Sequence, residues 1–357
     1  CICMHTTEKK SPLKRLLNVV LEPRDADFWL QKVNPLWSVE VPLAKIVAKD
    51  HSAHDTVSLT LKVNAHFNMG QAGQHHPVFV TIAGIRYERS YSLSKIDEQH
   101  VLLTVKKVAA GKVSAWLVEH AQVGDIIELG QPFGDMTLPK TTAPLILLAA
   151  GSGITPMYSL LQELVRSQQI TDQPVTLLYW VKTQADAAFL TQFQTWAAQY
   201  SQFEFKLFCT QETPKATRLD QEHVALLNDV EQASVYACGP SGFAQHVEQL
   251  FAHAAQVKTE AFSMSVQQST DTGFVQVTLT QSNQVLSIPK GQSILVSLEQ
   301  QNIKPQHGCR MGICNKCACN KVEGSTKNIV NGQQNTEPGN LLKICVNSAQ
   351  SDLVIDL

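Results

Sequence analysis

The sequence predicts a multidomain chain: an antiparallel β-barrel or sandwich, then an α/β unit with a parallel sheet, then a small α+β unit. Three observations carry this. Across 38–140, short runs alternate with period two, as in Val57 to Val63 and Val101 to Val108, between Gly, Asn and Asp punctuation. Across 141–262, apolar runs (Leu145 to Ala150, Val175 to Val181, Phe203 to Cys209, Ser234 to Cys238) are separated by segments of helical period, which reads as crossover units. Beyond a polar Ser, Gln and Thr stretch at 263–272, read as a linker, residues 273–357 open with two alternating runs and a helix from about Gln292 to Gln301. Four of the nine cysteines then crowd into Cys309 to Cys319.

Composition narrows the classes. The 357 residues fit two to three domains at ~150 residues each. With 44% hydrophobic and 17% charged residues, the chain can bury ordinary cores, which argues against disorder. A net charge of −2 gives no global case for nucleic-acid binding. The longest apolar run, Ala143 to Ala150, is far short of the ~20 residues of a transmembrane span. No secretory signal is visible and the cysteine count is odd, so the expectation is a cytoplasmic protein without a disulfide framework. The chain begins at Cys1, so its native start is expected upstream.

Residues 1–37 read as a helical extension. Ser11-Pro12 opens a helical pattern of Leu13, Leu16, Leu17, Val20 and Leu21, stopped by Pro23. A second short stretch holds Phe28, Trp29 and Val33. It is expected to pack on the main body, with peripheral contact to a membrane or a membrane-bound partner as the functional alternative.

Cys309, Cys314 and Cys317 are spaced C-x4-C-x2-C, with Cys345 far downstream. That is the plant-type spacing for a two-iron two-sulfur cluster. Zinc, the alternative, commonly takes two short cysteine pairs, which this spacing fits poorly. Cys319 reads as a buried thiol.

Gly151-Ser-Gly-Ile-Thr-Pro156 lies between an apolar strand and a helix, where a phosphate-binding turn belongs, although it departs from G-x-G-x-x-G. Cys238-Gly-Pro240 follows the last strand run. Both loops sit at strand C-terminal ends, where open parallel sheets bind ligands. Upstream, Arg89-Ser-Tyr-Ser92 reads either as an ordinary strand or as a flavin contact, with Arg89 on a diphosphate, Tyr91 against the ring and Ser92 on a ring nitrogen. Gly111-Lys-Val-Ser114 would add a phosphate contact and favour FAD over FMN.

In this order, these motifs resemble the ferredoxin–NADP reductase superfamily over about Ser38 to Phe262. The run His307 to Cys317 resembles the cluster loop of ferredoxin domains fused to bacterial reductases. The resemblance implies an FAD-binding β-barrel (38–140), an NAD(P)-binding α/β domain (141–262) and a β-grasp 2Fe-2S ferredoxin domain (273–357). It places Arg89, Tyr91 and Ser92 on the flavin and its phosphates. Gly111, Val113 and Ser114 would cradle the diphosphate, and Gly151, Gly153 and Thr155 would approach the nicotinamide nucleotide. Cys238, Gly239 and Pro240 would lie by its ring. Glu260, two residues before Phe262, matches the family's acid near hydride transfer, so Ser92, Cys238 and Glu260 are the candidate catalytic residues. Cys309, Cys314, Cys317 and Cys345 would hold the cluster.

The implied activity is that of an NAD(P)H-dependent reductase passing electrons through FAD and the cluster to an external oxygenase, hydroxylase or membrane fatty-acid desaturase. The alternatives are a stand-alone flavin or quinone reductase and an iron–sulfur redox sensor. NADPH is favoured over NADH: Thr210 and Gln211 offer no acid to a ribose, and Lys182, Lys215 and Arg218 could meet a 2′-phosphate.

Overall fold

The computed structural model describes residues 23–109, 111–212, 218–263, 271–312, 314–330 and 332–357. The expected helix at Ser11 to Leu21, most of the linker and Lys215 lie outside them.

A helix spans Pro23–Val33, so Pro23 begins a helix where the sequence pattern had it ending one; its fixed φ suits a first turn. The helix is tied down by Asp27, whose carboxylate accepts from the Ser38 hydroxyl at 2.8 Å and the Val39 amide at 2.6 Å. Phe28 and Trp29, by contrast, are 56% and 67% exposed. The anchor of this segment is therefore polar, not aromatic.

Six strands close an antiparallel barrel: β1 (Leu43–Ala53), β2 (Thr56–Val63), β3 (His75–Ile82), β4 (Ile85–Lys95), β5 (His100–Lys106) and β6 (Ile126–Leu129). The order is β1-β2-β5-β4-β3-β6. Alternation along each strand sends Ile46, Leu59, Leu61, Val78, Leu93 and Leu103 inward. Closure leaves no free edge.

The second unit is a five-stranded parallel sheet, in the order β11-β10-β7-β8-β9, built from β7 (Leu145–Ala150), β8 (Val175–Val181), β9 (Phe203–Cys209), β10 (Ser234–Pro240) and β11 (Gln256–Ser263). The central strands β7 and β10 are apolar on both faces because helices cover both. Met157, Leu160, Leu161 and Leu164 of helix Ile154–Arg166 pack into one of these cores. Edge strand β11 carries Lys258, Thr259 and Glu260, so it has no apolar run to announce it.

The last unit holds β12 (Phe274–Leu279), β13 (Gln284–Pro289), helix Ile294–Gln300, β14 (Ala318–Glu323), β15 (Thr326–Asn328), β16 (Gln334–Asn335), β17 (Asn340–Lys343), β18 (Asn347–Ala349) and β19 (Leu353–Asp356). A mixed sheet, β13-β12-β19-β14-β17, packs against the helix beside a small sheet, β16-β15-β18.

Side chains join the units. Ser159 donates to the Leu93 carbonyl at 2.9 Å, Lys106 meets Asp186 at 2.7 Å, and Gln245 donates to the Val330 carbonyl at 2.6 Å. No helix among the described residues is long and apolar enough to cross a membrane.

Candidate functional site

The three units meet at one cavity of about 270 Å³. Strand β4 supplies Arg89, Ser90, Tyr91 and Ser92 to its wall. The segment after β5 supplies Val108, Gly111, Val113 and Ser114, the turn after β7 supplies Ser152 and Thr155, and β11 supplies Phe262. Cys309, Arg310 and Met311 close it from the last unit.

The lining pairs one cation and leaves another facing the cavity: the Arg310 guanidinium is held by Glu299 at 3.0 Å and 2.5 Å, whereas Arg89 donates to the Glu88 carbonyl at 2.7 Å. Burial pulls the Arg89 guanidinium below its usual value, and the nearby Arg310 charge adds to this. The buried Ser90 hydroxyl and Arg310 Nε find no hydrogen-bond partner among the described residues. The Arg89 guanidinium and two unmet polar atoms around an aromatic wall suit a ring system carrying a diphosphate. Tyr91 presents a phenol whose pKa burial pushes up, so it remains neutral.

Gly111 leads into the short helix Lys112–Ala115, and a Cβ there would fall 2.6 Å from Ser114 Oγ. The Ser114 hydroxyl accepts from the Val108 amide at 3.2 Å and donates to the Gly111 carbonyl at 3.3 Å. It therefore shapes the turn at the cavity wall, where backbone N–H groups of the short helix are also offered.

Ser92 is part of a buried chain. Its hydroxyl meets His75 Nδ1 at 2.9 Å, and His75 Nε2 meets Glu260 Oε2 at 2.5 Å. His75 is 1% exposed, with Phe133 and Phe262 against its ring. Glu260 pairs in register with the fully buried Cys238 on β10. Burial, with the Glu260 charge adding to it, raises the Cys238 thiol well above its usual value, so it remains protonated. The three candidate catalytic residues thus stand together: His75, which sequence reasoning missed, bridges Ser92 and Glu260, and Cys238 lies beside Glu260 in the sheet. His75 becomes visible only through the register that sets it opposite Ser92.

The nucleotide-side glycines act by fit. Gly151 adopts φ +56°, a left-handed conformation. A Cβ on Gly153 would fall 1.9 Å from the Cys238 carbonyl oxygen, so glycine alone lets the turn lie on β10. Gly239 packs against Ala150 and Phe243, and exposed Pro240 ends β10. At the end of β9, the Thr210 hydroxyl turns inward to the Val181 carbonyl at 3.1 Å, and Glu212 accepts from the Gln184 amide at 3.0 Å. Lys182 and Arg218 are exposed nearby in sequence.

The four spaced cysteines form two pairs. The Cys309 amide points at Cys314 Sγ (3.2 Å), and the Cys314 and Met311 amides point at Cys309 Sγ (3.3 and 3.4 Å). Cys317 and Cys345 share a hydrogen bond that pulls the Cys317 thiol down to about 7 and pushes that of Cys345 up. Among the described residues, no three His, Cys, Asp or Glu side chains converge as around a single ion. Two thiol pairs with amides aimed at sulfur suit a binuclear cluster, one pair to each iron. Cys319 stands apart, buried in the core with its thiol toward the Leu342 carbonyl at 3.8 Å.

A barrel, a nucleotide-binding parallel sheet and a cysteine loop around one cavity define an NAD(P)H-dependent flavin and iron–sulfur oxidoreductase. Comparison with known families agrees unit by unit. Residues 43–138 match the oxidoreductase FAD-binding domain, 147–249 the oxidoreductase NAD-binding domain, and 277–346 the 2Fe-2S iron–sulfur cluster binding domain. The chain belongs to the ferredoxin–NADP reductase-like proteins with a C-terminal 2Fe-2S domain. It is 31% identical over 356 residues to an NADPH oxidoreductase of Mycobacterium tuberculosis, covering 97% of this chain and 92% of that one. It is 27% identical over 294 residues to the phthalate 4,5-dioxygenase reductase subunit of Pseudomonas putida (80% and 87% covered). The solved phthalate dioxygenase reductase shares the fold, with TM-score 0.63 and 24% identity over 88% of this chain and 97% of that one.

Proposed function

We propose that this chain draws hydride from NADPH into FAD at the shared cavity and delivers electrons singly, through a cluster on Cys309, Cys314, Cys317 and Cys345, to an external oxygenase-type protein. The observation that carries this is the convergence of Arg89 to Ser92, Thr155 and Cys309 to Met311 on one cavity. When bound, the flavin converts a two-electron donor into one-electron transfers. The chain's own residues bind and orient. Arg89 and the backbone N–H groups beyond Gly111 hold the diphosphate, and Tyr91 covers the ring. Ser92, held in place by His75 and Glu260, would offer its hydroxyl to a ring nitrogen. Cys238, protonated and buried, walls the nicotinamide pocket without charge. The proposed units are 38–140, 141–262 and 273–357, with 263–272 linking them.

NADPH is proposed over NADH because Lys182 and Arg218 stand exposed beyond the ends of β8 and β9, where Thr210 turns its hydroxyl inward and Glu212 accepts from the Gln184 amide. The partner reading draws on reductase subunits of oxygenase systems among the relatives. Where the acceptor is a membrane desaturase, the exposed Phe28, Trp29 and Trp37 supply a face for the bilayer interface. Co-sedimentation with anionic vesicles, lost in Trp29→Ala, tests that contact; no sedimentation of the parent protein would remove it. We place the protein in the cytoplasm, where reduced thiols and NADPH coexist.

The deciding experiment is an anaerobic absorbance titration with NADPH and NADH in parallel. Flavin and cluster bands bleaching together, faster with NADPH, is the expected result. In Cys314→Ala the cluster bands vanish and flavin bleaching persists. A loaded cluster that stays oxidised beside a bleached flavin would replace this reading with a stand-alone flavin reductase.

A further inference from the structure

The cluster loop touches the barrel at a built socket. Phe79 on β3 and Glu88 on β4 are direct cross-strand partners. The ammonium of Lys316, between Cys314 and Cys317, lies 2.7 Å from Glu88 Oε1 and 5.3 Å from the centroid of the Phe79 ring, which also carries the Arg86 guanidinium at 3.8 Å. Glu88 is only 15% exposed. The other end of the loop meets the same carboxylate: a Cβ at Gly308 would fall 2.8 Å from Glu88 Oε1, 2.9 Å from Cys314 Sγ and 2.9 Å from Lys316 Cδ. Both flanks of the cysteine loop therefore register on one side chain. That side chain directly precedes Arg89 to Ser92, the strand segment that lines the cavity.

We propose that Glu88, with Phe79 and Lys316, is a positioning clamp that sets the cluster loop against the flavin strand and so governs the step from flavin to cluster. The proposal rests on the cavity and the four cysteines holding the flavin and the cluster. A carboxylate and a ring face together suit an ammonium better than either alone, because the ring's negative face and the carboxylate attract it from two sides. Electron transfer requires the two centres to remain adjacent. Lys316 is 43% exposed, so salt and competing charges reach the clamp.

The test uses the full holoprotein, comparing the parent with Glu88→Gln, Lys316→Met and the exchange Glu88→Lys/Lys316→Glu. Rapid mixing with NADPH under anaerobic conditions reads flavin and cluster bleaching in one sample. Each single variant is expected to slow cluster bleaching relative to flavin bleaching by about fivefold, a size fitting one ion pair with a cation–π contact. The exchange restores most of the ratio. Independently of activity, hydrogen exchange at backbone amides of 304–318 and 85–92 should rise in both single variants and fall back in the exchange. Parent-like ratios and exchange in Glu88→Gln would overturn the clamp. Failure of the underlying reading looks different: the parent itself would lack cluster bands, or Cys314→Ala would keep them.

Discussion

His76 shows how a single buried ring couples this fold to acid. Its ring is fully buried, and its Nε2 faces the Asn68 carbonyl at 3.1 Å while Nδ1 finds no partner among the described residues. Burial, with the neighbouring His75 adding to it, lowers its pKa from 6.5 to about 4. The unfolded chain therefore binds a proton there that the folded chain refuses, and stability falls as the pH drops from 6.5 toward 4. The full effect is about 3 kcal/mol at its limit. Thermal unfolding of His76→Phe against the parent should show a flatter acid limb over that window, with Phe67 receiving the new ring. His75, one residue earlier, has the opposite role: both its nitrogens are engaged. In His75→Phe the packing on Phe133 and Phe262 survives, but Ser92 and Glu260 lose their bridge. Flavin reduction should slow by about tenfold with FAD still bound, as befits lost orientation. Recovery of the rate and its pH profile in His75→Gln would distinguish positioning from mere packing.

At the scale of elements, the fold was legible wherever pattern and burial coincide. The run Leu145 to Ala150 is apolar on both faces because helices cover both, and it announces a central parallel strand. Strand β11 was not legible from periodicity: as an edge it needs no apolar run, and Glu260 on it could be read as a solvated carboxylate until β10 and the barrel enclosed it. The cysteine spacing singled out four thiols, but not that they fall into two pairs, Cys309 with Cys314 and Cys317 with Cys345. The socket of Phe79 and Glu88 did not show, because it exists only across two strands and a distant loop. The turn after β7 yields a direct prediction. In Gly153→Ala the new Cβ must displace the Cys238 carbonyl on β10, a strand fixed at this residue by pairing with β7 on one side and β11 on the other. We expect a loss of about 3 kcal/mol, typical of overpacking against backbone, read as a lowered denaturation midpoint. NADPH binding should weaken with it.

At the scale of the whole molecule, function depends on how barrel and nucleotide sheet are set against each other, and Asp186 is the joint. It lies just beyond β8, 9% exposed, and accepts from Lys106 of β5 at 2.7 Å and from the Thr183 hydroxyl at 2.8 Å. Burial works to raise its pKa, but the Lys106 ammonium and the Thr183 bonds outweigh it and hold the carboxyl below its usual value. Next to this pair, the His54 amide donates to the Ala185 carbonyl at 2.8 Å, a backbone tie between the same two units. Because the folded carboxyl is held low, the stabilisation is present above the ordinary carboxylate range and is lost as the pH falls through the folded pKa. Lys106 also lines the shared cavity, so freeing it does more than loosen a seam. In Asp186→Ala a part-buried ammonium loses its partner, at a cost of about 2 kcal/mol, and the loop 183–186 loses its cap. The expected outcome is faster proteolytic cleavage at that loop and slower flavin reduction by NADPH. Transfer from flavin to cluster should continue at the parental rate, because the cluster loop is held by β4 and not by this joint. Equal slowing of both steps would mean that the seam governs the whole assembly and that the barrel and cysteine loop do not form a separable pair.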